Sequence, residues 1–105
     1  MQGAKHVFSY TIEVENVGLE TIRLIRRHWY IKDGILDERE VEGEGVIGQK
    51  PTLEPGEKFE YQSWCPVSDN FGSMRGFFTF EILRTGETGY ADIKTFLLMP
   101  EEALN

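Results

Sequence analysis

Phe8-Ser9-Tyr10-Thr11-Ile12-Glu13-Val14-Glu15 is the stretch that decides the fold class. Apolar Phe8, Tyr10, Ile12 and Val14 alternate with polar Ser9, Thr11, Glu13 and Glu15, the period-two signature of a strand with one buried and one wet face. Asn16-Val17-Gly18 reads as the turn that ends it, because Asn and Gly accept positive φ at little cost.

The same period continues from Thr21 to Lys32, with a change of phase. Ile22 and Leu24 share one parity, and Ile25, Trp29 and Ile31 share the other. A one-residue slip sends every side chain to the opposite face, so a β-bulge near Leu24–Arg26 is the simplest repair, and a strand covered on both faces is the alternative. Asp33-Gly34 is a hairpin signal. The strand expected after it, Ile35 to Glu42, is mostly charged and suits a sheet edge. Val46 to Leu53 reads as extended, with Pro51 confining it to an edge or a strand end, and Glu54-Pro55-Gly56-Glu57 turns the chain. Phe59 to Ser63 alternates again, and Pro66 to Ser73 is a loop. Met74 to Leu83 is apolar enough for a central strand, Thr85 to Gly89 turns, and Tyr90 to Met99 closes the domain.

No segment holds a 3.6-residue period over ten positions. About seven short strands with frequent turns predict an all-β antiparallel sandwich of the immunoglobulin or fibronectin type III kind, with a small closed barrel as the competing architecture. The 105 residues fit one domain, 1–105, with 1–5 and 101–105 expected as flexible ends. The net charge of −7 opposes nucleic acid and anionic membrane. A single cysteine, Cys65, rules out an internal disulfide and a cysteine-cluster zinc site. No signal-peptide or membrane-spanning run is present, so a cytoplasmic location is expected.

Three features could carry function. Gly43-Glu44-Gly45-Val46-Ile47-Gly48 has the G-x-G-x-x-G spacing that cradles a pyrophosphate when a helix starts inside it. Pro51, Pro55 and Gly56 follow too closely for such a helix, which leaves a glycine-rich bend, or an anion site built from backbone amides alone at Gly43, Gly45 and Gly48. Arg26-Arg27-His28-Trp29 is the one basic cluster. In a strand Arg26 and His28 share a face and form a candidate interaction surface, while Arg27 joins Trp29 on the other face. The plainer reading makes Trp29 core and pairs the arginines with glutamates. Glu38/Glu40 and Glu42/Glu44 read as solvated carboxylates of a charged edge. Cys65 reads as a small buried hydrophobe. No nucleophile–histidine set, metal-ligand spacing or cofactor motif is found, so neither an enzyme nor a bound metal or cofactor is expected.

The succession Arg27-His28-Trp29-Tyr30-Ile31, Gly43 to Gly48, Pro51-Thr52-Leu53-Glu54-Pro55-Gly56, Phe59-Glu60-Tyr61-Gln62-Ser63, Gly72-Ser73-Met74-Arg75-Gly76 and Phe96-Leu97-Leu98 resembles the ApaG family from about Val7 to Asn105. The resemblance implies a fibronectin type III-like sandwich and links to diadenosine tetraphosphate hydrolysis and to cobalt and magnesium tolerance. It further implies a protein-interaction role in eukaryotic fusions, and places a proposed pyrophosphate contact at Gly43, Gly45 and Gly48. Asp69-Asn70-Phe71 departs from the Thr-Pro pair that the family tends to carry there. The expectation is a non-enzymatic binding module for another protein, as monomer or homodimer. The alternative is a binder of phosphate-bearing small molecules at the Gly43–Gly48 bend.

Overall fold

The computed structural model describes residues 6–100, and the expectation for the two ends falls outside them. Seven strands follow one another: β1 His6–Glu15, β2 Ile22–Asp33, β3 Asp37–Glu44, β4 Thr52–Leu53, β5 Lys58–Val67, β6 Gly72–Ile82 and β7 Thr88–Leu98. All pairings are antiparallel, and no helix occurs among the described residues. β1 and β5 form a two-stranded sheet by themselves. The second sheet runs β3-β2-β6-β7, with β4 also on β2. The two sheets stay separate, which makes the architecture an open sandwich instead of a closed barrel. β6 is a central strand, as its apolar sequence predicts.

The phase change in β2 is a bulge, with the β2–β6 register shifting between Leu24 and Arg26. The extra residue lets Leu24 on one side and Trp29 and Ile31 on the other all face the second sheet. Trp29 is 4% exposed and meets Tyr10, Phe78 and Phe96 edge-on at 5.8, 6.1 and 6.0 Å. These rings tie both sheets into one core with Leu24, Met74 and Leu98.

The glycine segment is explained by the same bulge. β3 leaves β2 after Glu44, and the Gly45 N–H donates to the bulge carbonyl of Ile25 at 2.7 Å. Val46 and Gln49 then exchange two backbone hydrogen bonds, closing a turn whose central residues Ile47 and Gly48 have φ of 44° and 77°. Those are type I′ values. The chain returns past Pro51, whose carbonyl accepts from Leu24 N at 3.0 Å, and β4 resumes the edge opposite Ile22 and Arg23. The extended segment expected over Val46 to Leu53 is therefore a tight turn and only two residues of strand. Positive φ at Gly45, Ile47 and Gly48 breaks the extension.

The Asp33-Gly34 hairpin has a three-residue loop, 34–36, so β3 starts two residues later than the sequence suggests. β3 then alternates cleanly. Arg39, Val41 and Gly43 lie opposite Ile31, Trp29 and Arg27 on the inner side, while Glu38, Glu40 and Glu42 lie opposite Lys32, Tyr30 and His28 on the outer side.

Candidate functional site

β3 and β5 are edge strands of different sheets, and the gap between them is a cleft of about 440 Å³. Its floor is Trp29, Ile31 and Met74 from the large sheet, its walls include Val41, Tyr61 and Trp64, and Ile47 with Gly48 roofs one end. Clefts of this size with an aromatic lining and a few polar groups are the usual shape of a binding site.

Two arginines stand at its ends. Arg27 follows the bulge, so strand parity turns it inward beside Trp29. Its Nη1 donates to the Glu44 carbonyl at 2.8 Å and to the Gly45 carbonyl at 3.3 Å, and the guanidinium lies over Gly43. A Cβ at Gly43 would sit 3.1–3.2 Å from three guanidinium atoms, so the absent side chain makes room for Arg27. No carboxylate among the described residues pairs with Arg27. At the other end Arg39 donates from Nη2 to the Pro66 carbonyl at 2.6 Å and to Cys65 Sγ at 3.5 Å, with Asp33 Oδ2 at 3.8 Å from Nη1.

The hydroxyl groups of the cleft stay protonated. Burial pushes the Tyr10 phenol above its ordinary range, against a hydrogen bond with Ser63 that pulls the other way. Burial raises Tyr61 further, with the neighbouring Tyr10 adding to it and Arg27 opposing. Burial also raises the Cys65 thiol, outweighing the nearby Arg39. The cleft therefore offers phenol O–H donors and guanidinium N–H donors beside an inert thiol.

Arg26 and His28 share the outer face of the large sheet, as strand parity predicts. Arg26 is exposed opposite Glu44. His28 Nε2 lies 2.7 Å from Glu40 and Nδ1 lies 3.0 Å from Glu42. The imidazole also stacks on Phe77 at 4.9 Å. Trp29 is core, but the glutamates expected to hold the arginines hold His28, and Arg27 turns to backbone carbonyls. Of the glycines, Gly43 is inside β3, Gly45 spends its amide on Ile25, and Gly48 lines the cleft at the turn.

Arg39, Tyr10, Tyr61 and Trp64 did not stand out in the sequence. The usable signal was the inner parity of Arg39-Val41-Gly43 within Asp37-Glu38-Arg39-Glu40-Val41-Glu42-Gly43-Glu44, an apolar and basic row hidden among glutamates. No group of three or more His, Cys, Asp or Glu side chains that could hold a metal is found among the described residues. Nor is any helix there long and apolar enough to cross a membrane.

The ApaG domain profile matches residues 1–82. Protein ApaG of Bradyrhizobium diazoefficiens is 44% identical over 95 residues, which is 90% of this chain and 72% of that protein. Protein ApaG of Anaeromyxobacter dehalogenans is 43% identical over 102 residues, 96% of this chain and 80% of that one. A crystal structure from Bordetella pertussis superposes with a TM-score of 0.84 at 44% identity, covering 90% of this chain and 77% of that one. The chain belongs to the ApaG family.

Proposed function

We propose that this ApaG-family chain is a non-enzymatic binding module that recognises a protein partner through the β3–β5 cleft. One observation carries the reading: a chain of net charge −7 places two arginines in a single aromatic cleft, and one of them has no carboxylate partner among the described residues. A guanidinium oriented by backbone carbonyls is preorganised for an incoming anion, and Trp64, 61% exposed at the lip, is the residue type that anchors interfaces. The state of the two side chains best suited to catalysis supports the non-enzymatic reading. His28, outside the cleft, is engaged by two glutamates, and Cys65 is buried with a raised thiol pKa.

The test is site-specific photocrosslinking in cells with benzoylphenylalanine replacing Trp64, and replacing Leu19 on the distant β1–β2 loop as the control position. A discrete protein adduct from position 64 and none from position 19 is the expected result. No adduct at 64, or the same adducts at both, would remove the reading.

A second reading has an observation of its own. Arg27 lies against Gly43–Gly45 with Gly48 at the same end of the cleft, which favours a phosphate-bearing small molecule there. Titration calorimetry with pyrophosphate and with diadenosine tetraphosphate tests it, and absence of heat at millimolar ligand ends it.

A further inference from the structure

We infer that the occupant of the cleft is an extended peptide segment carrying an acidic, an apolar and an acidic side chain at alternate positions, which rests on the binding-module reading and adds the chemistry of the partner. The first ground is spacing. Arg27 stands opposite Gly43 in the β2–β3 register, and Arg39 is four residues away along β3. At about 3.3 Å per residue the two are roughly 13 Å apart at the backbone. Their guanidiniums hold carbonyls on opposite sides of the cleft, Glu44 and Gly45 at one end and Pro66 at the other. A single carboxylate or a pyrophosphate meets one of them, not both.

An extended chain spans that distance in the same number of residues. Its side chains at positions one, three and five point the same way. Two acids at one and five then reach the two arginines, and position three lies over Trp29 and Val41. The second ground is the backbone. Both lips of the cleft are sheet edges, since β3 and β5 each pair with a neighbour on one side only. Between the Glu44 and Pro66 carbonyls that the two arginines already occupy, such edges offer amide and carbonyl groups to an added strand, which small ligands do not use. The third ground is charge: the inner face is basic where the chain as a whole is acidic. A second copy is a poor occupant: its one such alternation, Asp33-Ile35-Asp37, lies across the β2–β3 hairpin, where Gly34 at φ 71° breaks the extension and Asp33 holds the Ser68 and Asp69 amides.

The test is fluorescence anisotropy of the full chain with labelled peptides. Glu-Thr-Leu-Thr-Glu is the probe, with Gln at either end or both as neutral arms and Glu-Glu-Thr-Leu-Thr as the wrong spacing. Each glutamate should contribute about tenfold, the scale of a charge-assisted hydrogen bond. The wrong spacing should bind about as weakly as a peptide with one Gln. Arg39→Met should make one terminal glutamate superfluous, so that one single-Gln peptide binds this variant as well as the doubly acidic one. This arm does not disturb Arg27, which also holds the glycine turn. No preference among the peptides, equal binding of the wrong spacing, or displacement by equimolar pyrophosphate would overturn the inference. Crosslinking at position 64 with no peptide preference would sink the peptide geometry and leave the module reading standing.

Discussion

The two sides of β3 are built from alternate residues of one eight-residue strand, and they do opposite things. The inner row, Arg39-Val41-Gly43, is basic, apolar and then bare, and it lines a cleft. The outer row, Glu38-Glu40-Glu42, is acidic and meets Arg75 and His28 on an open sheet surface. Inside, the guanidiniums are held chiefly by backbone carbonyls at the two ends of an aromatic cleft, Arg39 with Asp33 also nearby. Outside, glutamates meet Arg75 and the His28 imidazole with their own carboxylates about half or more exposed, where each contact is worth little. A strand that looks uniformly charged is thus charged for two reasons. Composition describes such an edge poorly and parity describes it well.

Removing the floor of the inner side should have the largest effect. Trp29→Ala should destabilise the protein by about 3–5 kcal/mol, because the ring contacts both sheets and no neighbour can fill its volume. A urea melt would register the loss. A change under about 1 kcal/mol would mean that Trp29 is not the joint between the sheets.

Asp33, at the Arg39 end of the cleft, gives the next effect. Its carboxylate accepts the amides of Ser68 at 2.7 Å and Asp69 at 3.0 Å, tying the β5–β6 loop to the end of β2. Burial alone would raise its pKa, yet those two N–H bonds and Arg39 together bring it below the ordinary carboxylate value. A lowered folded-state value means that the contribution is complete above the unfolded pKa and is lost as pH falls through the folded one. Asp33→Ala should cost about 2 kcal/mol at neutral pH, and the gap from wild type should begin to narrow as pH falls below about 4. Chemical melts at pH 7 and pH 3 check it, and a gap independent of pH would contradict the role of the charge.

Much of this architecture was legible in the sequence, because period two is a strong signal and its failure in β2 is stronger still. Ile22 and Leu24 on one parity with Trp29 and Ile31 on the other leave few solutions, and the bulge between Leu24 and Arg26 is the one used. The turn at Ile47 was not legible. A β-branched residue is the wrong type for φ of 44°, and nothing local announces it. The two-stranded β1–β5 sheet and the open gap beside it are long-range facts, since β1 and β5 are some fifty residues apart in the chain. Arg39 could not be placed in a cleft until the opposite wall was known.

That misplaced isoleucine is a test of whether the inner side is shaped for recognition. Ile47 takes a left-handed conformation that disfavours it, and it leaves its side chain half exposed at the cleft roof. Ile47→Asn should raise stability by about 1 kcal/mol, since Asn tolerates this φ in a type I′ turn. The same change should weaken crosslinking from position 64. Gain in stability with undiminished crosslinking would mean that the strain serves no contact in the cleft.

The smallest effect is expected on the outer side, and it completes the contrast. His28 sits between Glu40 and Glu42, each of which is about three-fifths exposed. Carboxylates are acceptors only, so both contacts are hydrogen bonds at once only when both ring nitrogens carry hydrogen. Even then the exposed pair is screened by water and salt, whereas the stacking of the ring on Phe77 does not depend on either glutamate. Glu40→Gln and Glu42→Gln should therefore each change stability by no more than about 0.5 kcal/mol, an effect that disappears in molar salt. Both should leave crosslinking at position 64 unaltered, because their side chains point away from the cleft. A loss of crosslinking in either variant would mean that the two faces of β3 act as one surface.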